Sequence, residues 1–237
     1  MRFIPHKTLL VPRFSSMTHK FATTEAIQIV DDLLSELSPP KSEEKEYIPY
    51  RGDWKFVEAS KVKDMLVSVA NGRTARDILQ IFDVRDDITD FCGGNLITAK
   101  NVPCNTFLNN LGHLFNEYHP RKEILIHCMY SQQRGIKCAN WYVRGIEELV
   151  NHYLDPKKVD TEYPAQFYSL NDVKLSDELI KNMSNQKVFV LKGGFSRILN
   201  KYASNSHFSQ IFENWDDSLW RLHSDISGKK FVHIHDM

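Results

Sequence analysis

The sequence predicts an α/β domain: a parallel sheet flanked by helices, with an N-terminal extension and a polar C-terminal tail. Two observations carry this. Runs at 78–84 (ILQIFDV), 123–127 (EILIH) and 187–191 (KVFVL) are nearly continuous in apolar residues rather than alternating, the mark of strands buried on both faces. Around them lie longer stretches with apolar residues at helical spacing, and strands that alternate with helices pair in parallel. A length of 237 residues suits one domain with extensions, or two small ones.

Residues 1–24 hold Arg2, Lys7, Arg13 and Lys20, no acid, and frequent hydroxyl groups. That composition fits a mitochondrial transit peptide or a basic tail, and Pro5 and Pro12 interrupt any continuous helix. Residues 25–46 read as an amphipathic helix and linker. Ala26, Ile29, Val30, Leu33, Leu34 and Leu37 share a helical face, then Pro39 and Pro40 stop the helix and charges follow. The main domain is expected over 47–220. A helix at 60–71 groups Val62, Met65, Leu66 and Val69, and the strand 78–84 follows. Gly93-Gly94 signals a turn. A helix over 106–118 uses Phe107, Leu108, Leu111, Leu114 and Phe115. After the central strand 123–127, Ala139, Tyr142, Val143, Ile146, Leu149 and Val150 set a helix over 135–150. Residues 151–185 read as an irregular polar insertion carrying Tyr153, Tyr163, Phe167 and Tyr168. Past 187–191, Gly193-Gly194 turns the chain into a helix through Phe195, Ile198, Leu199 and Tyr202. From about Ser204 the chain becomes polar; Phe212, Trp215, Leu219 and Trp220 are expected to clamp it to the domain, and 221–237 forms the tail.

Thirty basic residues balance thirty acidic ones, so bulk charge gives no footprint for nucleic acid. No apolar run reaches the length of a membrane span. The cysteines Cys92, Cys104, Cys128 and Cys138 form no CxxC pair, which fits neither a zinc site nor a disulfide framework. No metal or cofactor is expected. A reducing, intracellular compartment fits best, mitochondrial or cytoplasmic, with at least one thiol kept for chemistry.

That thiol lies in the run ILIHCMYSQQRG, residues 124–135, where Cys128 and Arg134 are separated by five residues. A strand ends just before the cysteine and a helix begins at the arginine. Such a loop closes around a tetrahedral oxyanion, with the sulfur at the bottom. The N–H groups of Met129, Tyr130, Ser131, Gln132, Gln133, Arg134 and Gly135 would line it. A thiol attacks only after losing its proton; inward N–H groups, the positive end of a helix dipole and a guanidinium all favour that loss. Arg134 also suits the anion itself, because its planar fork bonds two oxygens at once. Ser131 is placed to support the sulfur. His127 points away from the loop mouth and is expected to make a buried hydrogen bond that fixes the loop. Gly135 lets the backbone pass closely, and the side chains of Met129, Tyr130, Gln132 and Gln133 are expected at the rim. Cys138 reads as core. Cys92 and Cys104 serve as resolving thiols only if the fold brings them near Cys128.

HCMYSQQRG resembles the active-site loop of rhodanese-fold phosphatases of the cell-division-cycle dual-specificity type. It is most similar to the small fungal phosphatases and arsenate reductases of that group. Further matches appear in order. Ile81-Phe82-Asp83-Val84-Arg85 resembles the family's strand ending in Asp-x-Arg. Gly93-Gly94 with Leu96-Ile97 resembles its Gly-Gly-His-Ile segment, and Val190 to Phe195 its last strand and Gly-Gly-Phe turn. The resemblance covers roughly residues 50–220. It implies a rhodanese-like sheet, Cys128 as nucleophile, Arg134 as phosphate binder, and Asp83 with Arg85 as a structural pair below the loop. The loop length matches phosphate rather than the shorter, persulfide-sized loop of a sulfurtransferase. Asn95 stands in place of the family's His, Ile136 in place of a Pro, and Val84 where a second cysteine is kept. The loop carries no carboxylate, so no proton donor is assigned.

Three functions compete. The first is a cysteine-dependent phosphatase acting on a phosphorylated protein or small phosphate ester through a cysteinyl-phosphate. The second is an arsenate reductase drawing on glutathione and glutaredoxin. The third is a degenerate domain that only binds an oxyanion or phosphopeptide.

Overall fold

A computed structural model describes residues 50–72, 78–86, 90–155, 161–225 and 228–233; the basic segment 1–24 and the helix and linker expected over 25–46 lie outside them. Its central sheet has five parallel strands in the order β1 (Trp54–Val57), β6 (Lys187–Leu191), β5 (Glu123–His127), β2 (Leu79–Asp83) and β4 (Ala99–Asn101). The two-residue period of a strand explains the continuous apolar runs. On β5, Ile124 and Ile126 enter one core and Leu125 the other; on β2, Phe82 faces the first and Leu79 and Ile81 the second.

The first core is closed by α2 (Cys104–Phe107), α3 (Leu111–Tyr118), α4 (Arg134–Leu154) and α5 (Asp177–Ser184). Phe115 meets Tyr142 edge-on at 5.1 Å, and the Tyr142 hydroxyl donates to Gln186 at 3.0 Å. A buried phenol needs such a partner. The second core lies under α1 (Ala59–Ala70), α6 (Gly194–Tyr202) and α7 (Phe208–Ile211). Among the described residues no helix is long and apolar enough to cross a membrane.

Three expectations change. The helix expected over 106–118 divides into α2, a 3₁₀ turn at Leu108–Asn110, and α3. The polar stretch 151–185 contains the end of α4, 3₁₀ turns over Ala165–Asp172, and α5. Its start signal is local: the Ser176 hydroxyl accepts from Leu179 N at 3.1 Å, Asp177 and Glu178 sit in the first turn, and Leu179, Ile180 and Met183 are buried. The C-terminal segment is also more than a tail. β8 (Trp220–Asp225) and β9 (Gly228–His233) form an antiparallel hairpin, while β3 (Asn95–Leu96) pairs with β7 (Phe212–Glu213). Among the hairpin side chains that are described, Trp220 and His233 are the buried ones. Trp220 does clamp the domain: its indole N–H donates to Gly93 O at 2.8 Å, and Trp215 stacks on it at 5.3 Å.

Candidate active site

Strand β5 lies mid-sheet with β2 and β6 as neighbours, and the C-terminal ends of such strands are where open α/β sheets collect binding loops. The loop from Cys128 leads into α4, which runs for 21 residues and has no side-chain cap at its N terminus. Its first amides and positive dipole end are therefore left for an anion.

Within the loop, Ser131 N donates to Cys128 Sγ at 3.1 Å, and Cys128 N donates to Ser131 Oγ at 3.3 Å. Ser131 adopts φ 49°, a left-handed bend that folds the loop back onto the sulfur. Gly135 admits this closure: a Cβ there would stand 3.1 Å from Ser131 Oγ. From below, Phe195 N and Ser196 N donate to the carbonyls of Cys128 and Met129 at 3.0 and 2.9 Å. The start of α6 thus holds the loop from its underside. Tyr130, Gln132 and Gln133 are exposed, as expected of a rim. Met129 is not: strand alternation continues past Cys128, so its side chain is buried in the second core.

Asp83 and Arg85 are fully buried beside the loop. Arg85 Nη2 and Nε donate to Asp83 at 2.7 and 3.0 Å, Nη1 to Asp90 O at 2.9 Å, and Nη2 also to Gly94 O at 2.7 Å. The guanidinium lies over the rings of Phe195 at 4.1 Å and Phe91 at 5.3 Å. Burial alone would raise the Asp83 pKa; the charges of Arg85 and His127 outweigh it and hold the carboxyl below its ordinary range. His127 was expected to make a buried hydrogen bond. Its Nε2 stands 3.7 Å from Asp83 Oδ2, and the Cys128 backbone is a further polar neighbour of the buried ring. The ring stacks near Phe195, and burial lowers its pKa. Asn95 fastens the Gly-Gly turn to the C-terminal segment, donating to Glu213 Oε1 at 2.9 Å.

One site residue escaped sequence reasoning. Arg134 Nη2 forms an ion pair with Asp90 Oδ2. Burial works against the charge of Arg134, but the hydrogen bond to Asp90 and the nearby Asp90, Cys128 and Cys104 raise its pKa nonetheless. The available signal was positional: Asp90 follows β2, which pairs with β5, so the two loops leave the same end of the sheet.

Beside Arg134 opens a cleft of about 330 Å³ lined by Val84, Asp86, Cys104, Asn105, Lys137 and Trp141. Cys104 thus shares a cleft with Arg134. A hydrogen bond from Cys138 pulls the Cys104 thiol down to about 7 against burial, with Lys137 and Arg134 assisting, and the same contact pushes Cys138 up. Alkylation of Cys104 by iodoacetamide should therefore rise with pH around a midpoint near 7, and Cys138→Ala should move it upward. Peptide mapping across pH checks this; an unmoved midpoint near the free-thiol value of about 8.5 contradicts it.

No family model matches the chain. The dual specificity phosphatase ibp1 of Schizosaccharomyces pombe is 27% identical over 125 residues, 53% of this chain and 78% of that protein. The dual specificity phosphatase Cdc25 of Arabidopsis thaliana is 33% identical over 86 residues, 36% of this chain and 53% of that protein. The chain resembles the Cdc25-type dual-specificity phosphatases. Among solved structures, yeast Ygr203w, a protein tyrosine phosphatase of the rhodanese family, matches with a TM-score of 0.45 and 22% identity, over 70% of this chain and 96% of its own. The As-Sb reductase of Leishmania major gives 0.39 and 16%, over 78% and 95%. In this Cdc25-like chain, Cys128, Ser131 and Arg134 come together in one loop, with Asp90 against Arg134 and Asp83, Arg85 and His127 buried beside it.

Proposed function

We propose that the chain is a cysteine-dependent phosphatase of the dual-specificity kind, hydrolysing phosphate monoesters on a phosphorylated protein or small ester. The observation that carries this reading is the position of Cys128 and Arg134 at the two ends of a loop between central strand β5 and the uncapped N terminus of α4. The sequence relatives support the reaction class. Cys128 Sγ attacks phosphorus, a cysteinyl-phosphate forms, and water releases phosphate. Arg134 binds two phosphate oxygens, and the loop amides between Met129 and Gly135 other than that of Ser131 serve the rest of the phosphate. The Ser131 amide steadies the sulfur, while His127, Asp83 and Arg85 keep the loop in place. Steady-state turnover of an aryl phosphate by wild type beside Cys128→Ser tests it. The variant should lose about 10⁴-fold or more; undiminished turnover contradicts the assignment.

Arsenate reduction with glutathione and glutaredoxin is the second reading. It draws on the lowered thiol of Cys104, a second sulfur in the cleft beside Arg134. Arsenate turnover coupled to those thiols, without aryl phosphate turnover, would exchange the two readings. Cys104, Cys128 and Cys138 carry thiols rather than disulfides, which supports placement in a reducing compartment, mitochondrial or cytoplasmic.

A further inference from the structure

Sulfur attack on a phosphate ester expels an alkoxide or phenoxide, and a basic alkoxide leaves slowly unless a proton reaches it. Between Cys128 and Arg134 stand Met129, Tyr130, Ser131, Gln132 and Gln133, with no carboxyl group among them. The carboxyl set against the anion-binding arginine comes from elsewhere. Asp90 is 7% exposed, and its Oδ2 is engaged by Arg134 Nη2. Its Oδ1 is buried and has no hydrogen-bond partner among the described residues. An orphaned carboxylate oxygen is costly to bury, and a proton or a substrate oxygen would complete it. The backbone around it is fixed: Asp90 O accepts from Arg85 Nη1 at 2.9 Å, and Asp90 N donates to Asp86 O at 3.3 Å. Among the described residues, the charged groups shown against it are Arg134 from α4, through its guanidinium, and Arg85 following β2, which holds its backbone carbonyl.

We infer that Asp90 donates the leaving-group proton, an assignment that rests on Cys128 as nucleophile and Arg134 as phosphate binder. A phosphate ester that takes the guanidinium of Arg134 would draw that arginine away from the Asp90 carboxyl, which it engages in the free protein. In the first step a bond forms from Cys128 Sγ to phosphorus and the ester P–O bond breaks. The electron pair stays on the ester oxygen, which takes the proton of Asp90. In the second step the Asp90 carboxylate takes a proton from water, whose oxygen bonds phosphorus. The P–S bond breaks and its electron pair returns to sulfur. Ester and water become alcohol and phosphate, with Asp90 reprotonated and the thiolate restored.

Asp90→Asn keeps the size of the side chain and an oxygen for Arg134, but has no transferable proton. The test compares kcat/KM of wild type and D90N on p-nitrophenyl phosphate, phenyl phosphate and an alkyl phosphate. For the nitrophenyl ester, whose leaving group needs no proton, the loss should stay below about tenfold. For the phenyl and alkyl esters it should reach about 10²–10⁴-fold. Dependence on leaving-group basicity would then be steep in D90N and shallow in wild type. Equal losses across the series overturn the inference, because a purely structural role slows every ester alike. Binding of inorganic phosphate to D90N reports that its loop is formed. Should that variant fail to fold, Asp90→Glu, which retains a proton, must keep the shallow dependence; a steep one overturns the inference. Ester turnover by Cys128→Ser would instead remove the underlying reading, whatever D90N does.

Discussion

Arg85→Ala should lower the stability of the domain by about 3–5 kcal/mol, the usual cost of stranding one member of a buried ion pair. The Asp83 carboxylate would be left fully buried without its cation, and the carbonyls of Asp90 and Gly94 would each lose a donor. Arg85→Lys should recover only part of this, since one ammonium cannot span three acceptors in fixed directions. The Asp83 carboxyl sits below its ordinary range in the fold. The contribution of the pair is therefore fully present above the ordinary carboxylate pKa and is lost as pH falls through the lowered, folded value. Urea unfolding at neutral and acid pH measures both effects; a loss below about 1 kcal/mol at pH 7, the scale of an exposed pair, contradicts the account. Activity should fall too where the variant remains folded, because Arg85 holds the backbone of the residue that meets Arg134.

Gly194→Ala should damage the reaction more than its size implies. Gly194 has φ 60°, and an added Cβ would stand 2.4 Å from the carbonyl oxygens of both Cys128 and Met129. Neither neighbour is a side-chain tip that can swing aside, so the loop itself must move. A displacement of about 1 Å in a reacting group typically costs around 10²-fold in rate. Gly193 also has a positive φ, but a Cβ there meets the side chain of Arg197 rather than the loop. Gly193→Ala should therefore lose stability while losing less turnover. Thermal unfolding and kcat/KM of the pair of variants separate the cases; wild-type turnover in Gly194→Ala would show that the loop does not depend on this close approach.

Legibility in the sequence followed how local each feature is. Strands β2, β5 and β6 were readable because burial on both faces leaves an unbroken apolar run. Cys128 and Arg134 were readable because the loop, the strand before it and the helix after it are contiguous. Strand β1 was not: it lies at the sheet edge with Phe56 51% exposed, so burial wrote no pattern into it. The α5 signal was short, a cap, two acids and three apolar residues inside a polar stretch. Asp90 was invisible for a different reason. It meets Arg134 across 44 residues of sequence, through the parallel pairing of β2 with β5, and nothing local marks an acid as facing a neighbouring strand's loop. Met129 shows the converse error: a residue of the anion loop whose backbone serves the site while its side chain serves the core.

The central claim is a covalent intermediate on one sulfur. Wild-type protein mixed with an aryl phosphate and denatured within the first turnover should gain the mass of a single phosphoryl group, and peptide mapping should place it on Cys128. Cys128→Ser, treated identically, should gain none and release no phosphate. A phosphoryl group on any other residue, or phosphate release by Cys128→Ser, would contradict the account.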